Sequence, residues 1–123
     1  MDRLTSRHIV GGHLQRWGCS NIDQAVLVLS ELVTNAVIYA GGADRILVVC
    51  NDSWIRIVVH DNGPGAAHLR QGHPTRWWAR TSYRRTTGAR MGLNSLGDGK
   101  AVSVILPHCT PRNPGRDTID RPR

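Results

Sequence analysis

The chain has 123 residues, 40% of them hydrophobic and none phenylalanine, and a formal net charge of +7. That length predicts one domain able to bury roughly two-thirds of its unfolded surface without metal or disulfide staples. No apolar run approaches the ~20 residues of a bilayer span, and the opening "MDRLTSRHIVGGHLQ" lacks the continuous apolar core of a signal peptide, so the expectation is a soluble, cytoplasmic protein without membrane contact.

Cys19, Cys50 and Cys109 are odd in number and not closely spaced, which predicts unpaired thiols in a reducing compartment, with Cys50 a small core residue. The positive charge is nearly all arginine, Lys100 being the only lysine. Such a balance suits a nucleic-acid or phosphate partner, and it equally suits an arginine-rich solvated surface.

In chain order, "LTSRHIVGGHLQRWG" places Leu4, Ile9, Val10, His13, Leu14 and Trp17 at helical spacings, ending at Gly18. Gly11 and Gly12 each cost about 1 kcal/mol against alanine there, which points to close approach by another element. "SNIDQAVLVLSELVTNAVIYAGG" is the strongest helix signal, with Ser20 or Asn21 as N-cap, a wide apolar stripe, and Gly41-Gly42 as the stop. The period then changes. "RILVVC" and "WIRIVVHD", joined by "NDS", predict an antiparallel hairpin in which Arg56 interrupts an apolar run, and "AVSVILP" predicts a further strand after "GDGK". Between them lies a long glycine- and arginine-rich segment, about residues 64–90, of the kind used as functional loops. Residues 110–123 have little to bury and predict a disordered tail beyond a domain of 1–109. The order predicts an α+β two-layer sandwich, helices on one face of a mostly antiparallel sheet.

Three groups of residues can carry chemistry. Glu31, the only glutamate in the chain, and Asn35 lie four apart, hence on one helix face with Cβ atoms about 5–6 Å apart, beside the apolar stripe. "HDNGPG" puts Asp61 at a strand exit with Gly63 and Gly65 following, where a carboxylate can accept from a ligand amine while backbone approaches closely. "TTGARMGLN" places glycines, Gly92 among them, ahead of a short helix, where N–H groups can meet phosphates. Taken singly, these are equally read as a surface Glu–Asn hydrogen bond, a plain turn, and a loop.

Their order is the informative part. A helix with E-x-x-x-N, a hairpin, D-x-G-x-G, a long loop, a Gly-Leu turn and a final strand resembles the GHKL ATPase superfamily, which includes DNA gyrase, histidine kinases and the heat-shock chaperone ATPase. Within it, "RWG", "SELVTNAVIYAGG", "DNGPG" and "GDGKAVSVILP" look most like the small anti-sigma-factor serine kinases of bacteria, from about Leu4 to Pro107. The resemblance implies the Bergerat-type ATP-binding fold and a site for ATP and Mg²⁺: Asn35 on the metal, Glu31 as general base, Asp61 on the adenine amino group, Gly63 and Gly65 in the loop over the nucleotide, and Gly92 at the phosphates. It further implies a sigma factor or an anti-sigma antagonist protein as partner, the latter phosphorylated on serine.

The chain departs from that pattern at three places. Arg90 stands where the first glycine of G-x-G-L belongs, Gly88 being two residues too early. "GLNSLGDGK" leaves less than one helical turn where the family has a helix. Ala101 replaces the threonine that reaches adenine through water. The missing helix uncovers part of the sheet, to be covered by the long loop with Trp77 and Trp78 or by a second copy, which predicts a homodimer with exchanged elements. Two rival functions follow: a degenerate module of the same fold that sequesters a protein, favoured by Arg90 and Ala101, and, least favoured, a nucleic-acid binder using Arg70, Arg76, Arg80, Arg84, Arg85 and Arg90 interleaved with Trp77, Trp78 and Tyr83. The histidines lack zinc-ligand spacing.

Overall fold

The computed structural model describes residues 3–51, 53–62, 90–96, 99–107 and 114–120. Helix α1 (Arg3–Arg16) and helix α2 (Ile22–Ala40) precede five strands: β1 (Ala43–Cys50), β2 (Trp54–Asp61), β3 (Arg90–Leu96), β4 (Gly99–Pro107) and β5 (Gly115–Asp120). The strands form one antiparallel sheet in the order β3-β4-β2-β1-β5. This is the α+β two-layer sandwich the sequence predicts, with both helices on one face.

Helix α1 turns Ser6, Val10 and Leu14 inward, each fully buried and each four residues from the next. Gly11 lies at the contact with α2, but an added Cβ would sit 3.6 Å from Val26 Cγ2, an ordinary contact, so the approach does not demand glycine. The helix closes with the Cys19 N–H donating to Leu14 O at 3.0 Å, and Gly18 takes a left-handed φ of 72°. Helix α2 starts at Asn21, whose side chain does not cap it; the Asn21 amide instead donates to Pro107 O at 2.9 Å, fastening the helix start to the end of β4. Its stop is as expected, Gly41 adopting φ 76° and the Gly42 N–H donating to Ala36 O at 2.9 Å.

The sheet alternates as a half-buried sheet should. Ile46 and Val48 from β1, Ile55, Ile57 and Val59 from β2, and Val102, Val104 and Leu106 from β4 face the helices and meet Val28, Leu29, Leu32 and Val33 of α2. A bulge between Ala43 and Arg45 returns Ala43 to the buried side. Leu47, Val49, Arg56, Val58, His60, Ser103 and Ile105 take the opposite side.

Three expectations need correction. The "GARMGLN" stretch, expected as a glycine turn into a short helix, contributes strand β3, with Met91 opposite Val104 and Leu93 opposite Val102. The register runs to Leu96 against Gly99. The expected tail contributes β5, paired to β1 along Arg45–Cys50. It is held to α1 by His13 Nε2, which donates to Asp117 Oδ2 at 2.9 Å, and by Trp17, whose indole lies where a Gly115 Cβ would be. Finally, Cys19 and Cys50 form a disulfide rather than remaining as separate thiols. Cys50 is also the core residue expected, at 1% exposure.

No helix among the described residues is long and apolar enough to cross a membrane.

Candidate functional site

Helix α2 carries Glu31 and Asn35 one turn apart along the edge of its buried stripe, both half-buried. Buried Leu32, Val33 and Ala36 lie beside them, so the pair is held at the boundary between core and surface. Asn35 sits five residues before the helix end, about 8 Å back along the axis. The Gly41-Gly42 stop then turns the chain directly into β1, where Ala43 pairs with Asp61 at the exit of β2. The helix stop and the hairpin register thus bring the lower end of α2 and Asp61 to the same end of the sheet.

The polar groups there are unusual for a packed interface. Asn35 Nδ2 is buried without an acceptor among the described residues. The neighbouring hydroxyls on α2 are satisfied within the helix, Ser30 Oγ donating to Val26 O at 2.9 Å and Thr34 Oγ1 to Ser30 O at 2.7 Å. Asn35 on this part of α2 is left, among the described residues, with a buried amide and no acceptor. Asp61 is 2% exposed, on the helix-facing side of β2 like Ile57 and Val59, so its carboxylate borders the layer between helices and sheet.

Asp61 has a support that sequence reasoning missed. Gly99 opens β4 against the Asp61 backbone, and a Cβ there would overlap the Asp61 carbonyl oxygen. Lys100 then pairs with Asp61 across the ladder. The signal was present in "GDGK", read only as a turn before a strand.

Gly92 lies within β3 opposite Ser103, on a side strand of the sheet. An added Cβ would come 2.9 Å from Ser103 Oγ, the end of a side chain that can rotate away. Ala101, the departure from the family's threonine, is 6% exposed and pairs with His60. Gly63 and Gly65, the 64–90 segment with its arginines and tryptophans, and Cys109 lie outside the described residues, apart from Arg90 at the start of β3.

The residues present fit a nucleotide with a divalent cation in one respect that the structure itself supplies. At one end of the layer, near the buried Asp61 carboxylate, lies an Asn35 amide without a partner among the described residues, which a ligand oxygen would satisfy.

The histidine kinase-, DNA gyrase B- and HSP90-like ATPase family matches residues 20–102. Two solved structures share the fold: full-length ShkA in complex with AMPPNP, at 19% identity and a TM-score of 0.54 over 73% of this chain, and the nucleotide-free catalytic domain of histidine kinase ThkA, at 19% identity and a TM-score of 0.52 over 72% of this chain. The matched region spans 22% of the ShkA chain and 68% of the ThkA domain. No curated protein matches the sequence. With Glu31, Asn35 and Asp61 all inside the matched span, and with two helices laid on one face of an antiparallel sheet, the chain belongs to the histidine kinase-, DNA gyrase B- and HSP90-like ATPase family.

Proposed function

We propose that the chain binds ATP with Mg²⁺ at the lower end of α2 and acts as an anti-sigma-type regulatory protein, phosphorylating a serine of an antagonist protein. The observation that carries this reading is the buried Asn35 amide, without a partner among the described residues, one turn after the chain's only glutamate. An asparagine offers a carbonyl oxygen to a hard cation and an N–H to a phosphate oxygen at once. Mg²⁺, when bound there, neutralises charge on the transferring phosphoryl group.

The remaining work falls to this chain's own side chains. Asp61 accepts from the adenine amino group and sets the depth of the base in the layer. Glu31, half-buried and one helical turn away, takes the proton from the attacking hydroxyl. The sheet and the buried stripe of α2 keep water from the base side, and the rigid helix fixes the separation of proton acceptor and metal-side amide. The nucleotide-bound state of ShkA lends support at the level of the fold. A sigma factor, or its antagonist, is the proposed protein partner, and a homodimer the proposed assembly.

The test is calorimetric titration of ATP and Mg²⁺ into wild-type, Asn35→Ala and Glu31→Gln chains, followed by phosphoryl transfer to candidate antagonists. Binding by wild type and by Glu31→Gln, lost in Asn35→Ala, is the expected result, with transfer lost in both variants. Absence of binding by folded wild-type protein overturns the nucleotide reading and leaves the rival one, a module that sequesters a protein without chemistry, for which Arg90 and Ala101 at the departures from the family pattern speak.

A further inference from the structure

The sheet face opposite the helices carries a second cluster that the nucleotide reading does not use. Its cross-strand rows follow from the register. Arg56 of β2 and Arg116 of β5 both pair with Val49 of β1 and so flank it. The next row on the same face is Val58–Leu47–Thr118, and the next is His60–Arg45–Asp120. With strands about 4.8 Å apart, Arg56 and Arg116 stem from points about 10 Å from one another, within reach of one ligand between two extended guanidinium arms. Both line a single recess of about 340 Å³, together with Arg45 and His60, over a floor that includes Leu47 and Val58.

The charges in the recess are not balanced. Arg45 Nε donates to Asp120 Oδ1 at 2.7 Å, which accounts for one cation and the one acid in these rows. Among the described residues, neither Arg56 nor Arg116 has an ion pair. Arg56 Nε is also buried without an acceptor among the described residues. A buried guanidinium N–H on an apolar floor is costly to leave unpaired, and any charge placed against it interacts more strongly than in water.

We propose that this recess is a second anion site, on the face away from Asn35, that takes a small phosphate-bearing molecule. Two uncompensated guanidinium groups match a dianionic, multi-oxygen group better than a single carboxylate, because each fork can take two oxygens. The recess is small by the standard of ligand pockets, which run from about 300 Å³. Among the described residues, no tryptophan or tyrosine lines it, so none of them offers the stacking platform on which single-stranded nucleic acid relies.

The test is a ¹H–¹⁵N NMR titration of the whole chain with pyrophosphate, repeated on Arg56→Gln, Arg116→Gln and Asn35→Ala. Saturable shifts at Leu47, Val58 and Thr118 are expected, weakened roughly tenfold or more in each arginine variant and unchanged in Asn35→Ala. Arg116 is exposed on the edge strand, so its variant remains informative if Arg56→Gln fails to fold. Shifts confined to α2 and Asp61 that vanish in Asn35→Ala would overturn the proposal by returning the anion to the nucleotide site. A lack of saturable shifts would make the arginines a solvated surface. Displacement of pyrophosphate by a single-stranded oligonucleotide at far lower concentration, strengthening with its length, would overturn the small-molecule assignment in favour of nucleic acid.

Discussion

A buried N–H left without an acceptor costs about 1–3 kcal/mol, and among the described residues Asn35 Nδ2 is such a group. Asparagine is also a poorer helix former than alanine by a few tenths of a kcal/mol, roughly. Asn35→Ala should therefore leave the ligand-free protein as stable as wild type or up to about 1 kcal/mol more stable, read as an equal or higher Tm. The same variant should lose the rise in Tm that saturating ATP and Mg²⁺ give wild type, about 2.7 kcal/mol at a hundredfold excess over Kd. A residue kept for structure would show the opposite, falling in Tm without ligand. Gly99 makes the complementary case. A Cβ there meets the Asp61 carbonyl, backbone that cannot swing aside, so Gly99→Ala should displace Asp61 and weaken ATP while Mg²⁺-dependent contacts at Asn35 persist. Comparing ATP with inorganic triphosphate separates the two effects: affinity for ATP falls in Gly99→Ala, and affinity for triphosphate does not.

The elements that sequence reasoning could see were those whose burial has a single period. Helix α2 and the β1–β2 hairpin announce themselves because their inward positions are apolar apart from Ser30 and Asp61, and the boundaries are Gly-Gly and Asn-Asp-Ser. Strand β3 was hidden because glycine and asparagine alternate with its apolar residues, and its partner is the next strand across two residues. Strand β5 was hidden more deeply. "GRDTID" turns Asp117 toward α1, and an inward acid reads as solvated until His13, at the other end of the sequence, is found opposite it. Arg16 Nη2 lies 2.7 Å from His13 Nδ1, which fits an imidazole donating through Nε2 to the acid. The candidate residues on α2 stood out by their spacing; Gly99 did not, because its reason is a tertiary collision. The anchoring of β5 gives a test at this level. Gly115→Val must push the Trp17 indole aside, and amides of residues 115–120 should then lose hydrogen-exchange protection while those of β2 and β4 keep theirs. Unchanged protection of β5 would show that the pairing with β1 suffices without Trp17.

The two layers are joined covalently as well as by packing. Cys19 lies in the connection between α1 and α2, Cys50 at the end of β1, and their bond closes a loop with a sequence separation of 31. It sits at the end of the sheet far from Asp61, since Cys50 pairs with Ile55 and Gly115 while Ala43 pairs with Asp61. One end of the sandwich is thus clamped by the bridge, by Trp17 over Gly115 and by Asn21 on Pro107, whereas the other end holds the residues proposed to meet ligand. A clamp placed there can add stability without stiffening the site. For a loop of that size, chain entropy alone assigns the bridge about 3–4 kcal/mol, a large share of the 5–15 kcal/mol typical of a domain. Reduction, or Cys19→Ser, should therefore lower the urea midpoint substantially, while affinity for ATP measured below the transition stays within about twofold. Cys109 supplies the control, because Cys109→Ser leaves the bridge intact and should not move the midpoint. Loss of affinity in step with stability would show that the two ends are coupled through the sheet. A midpoint indifferent to reduction would mean that the two sulfurs are thiols in solution, with packing alone holding the layers together.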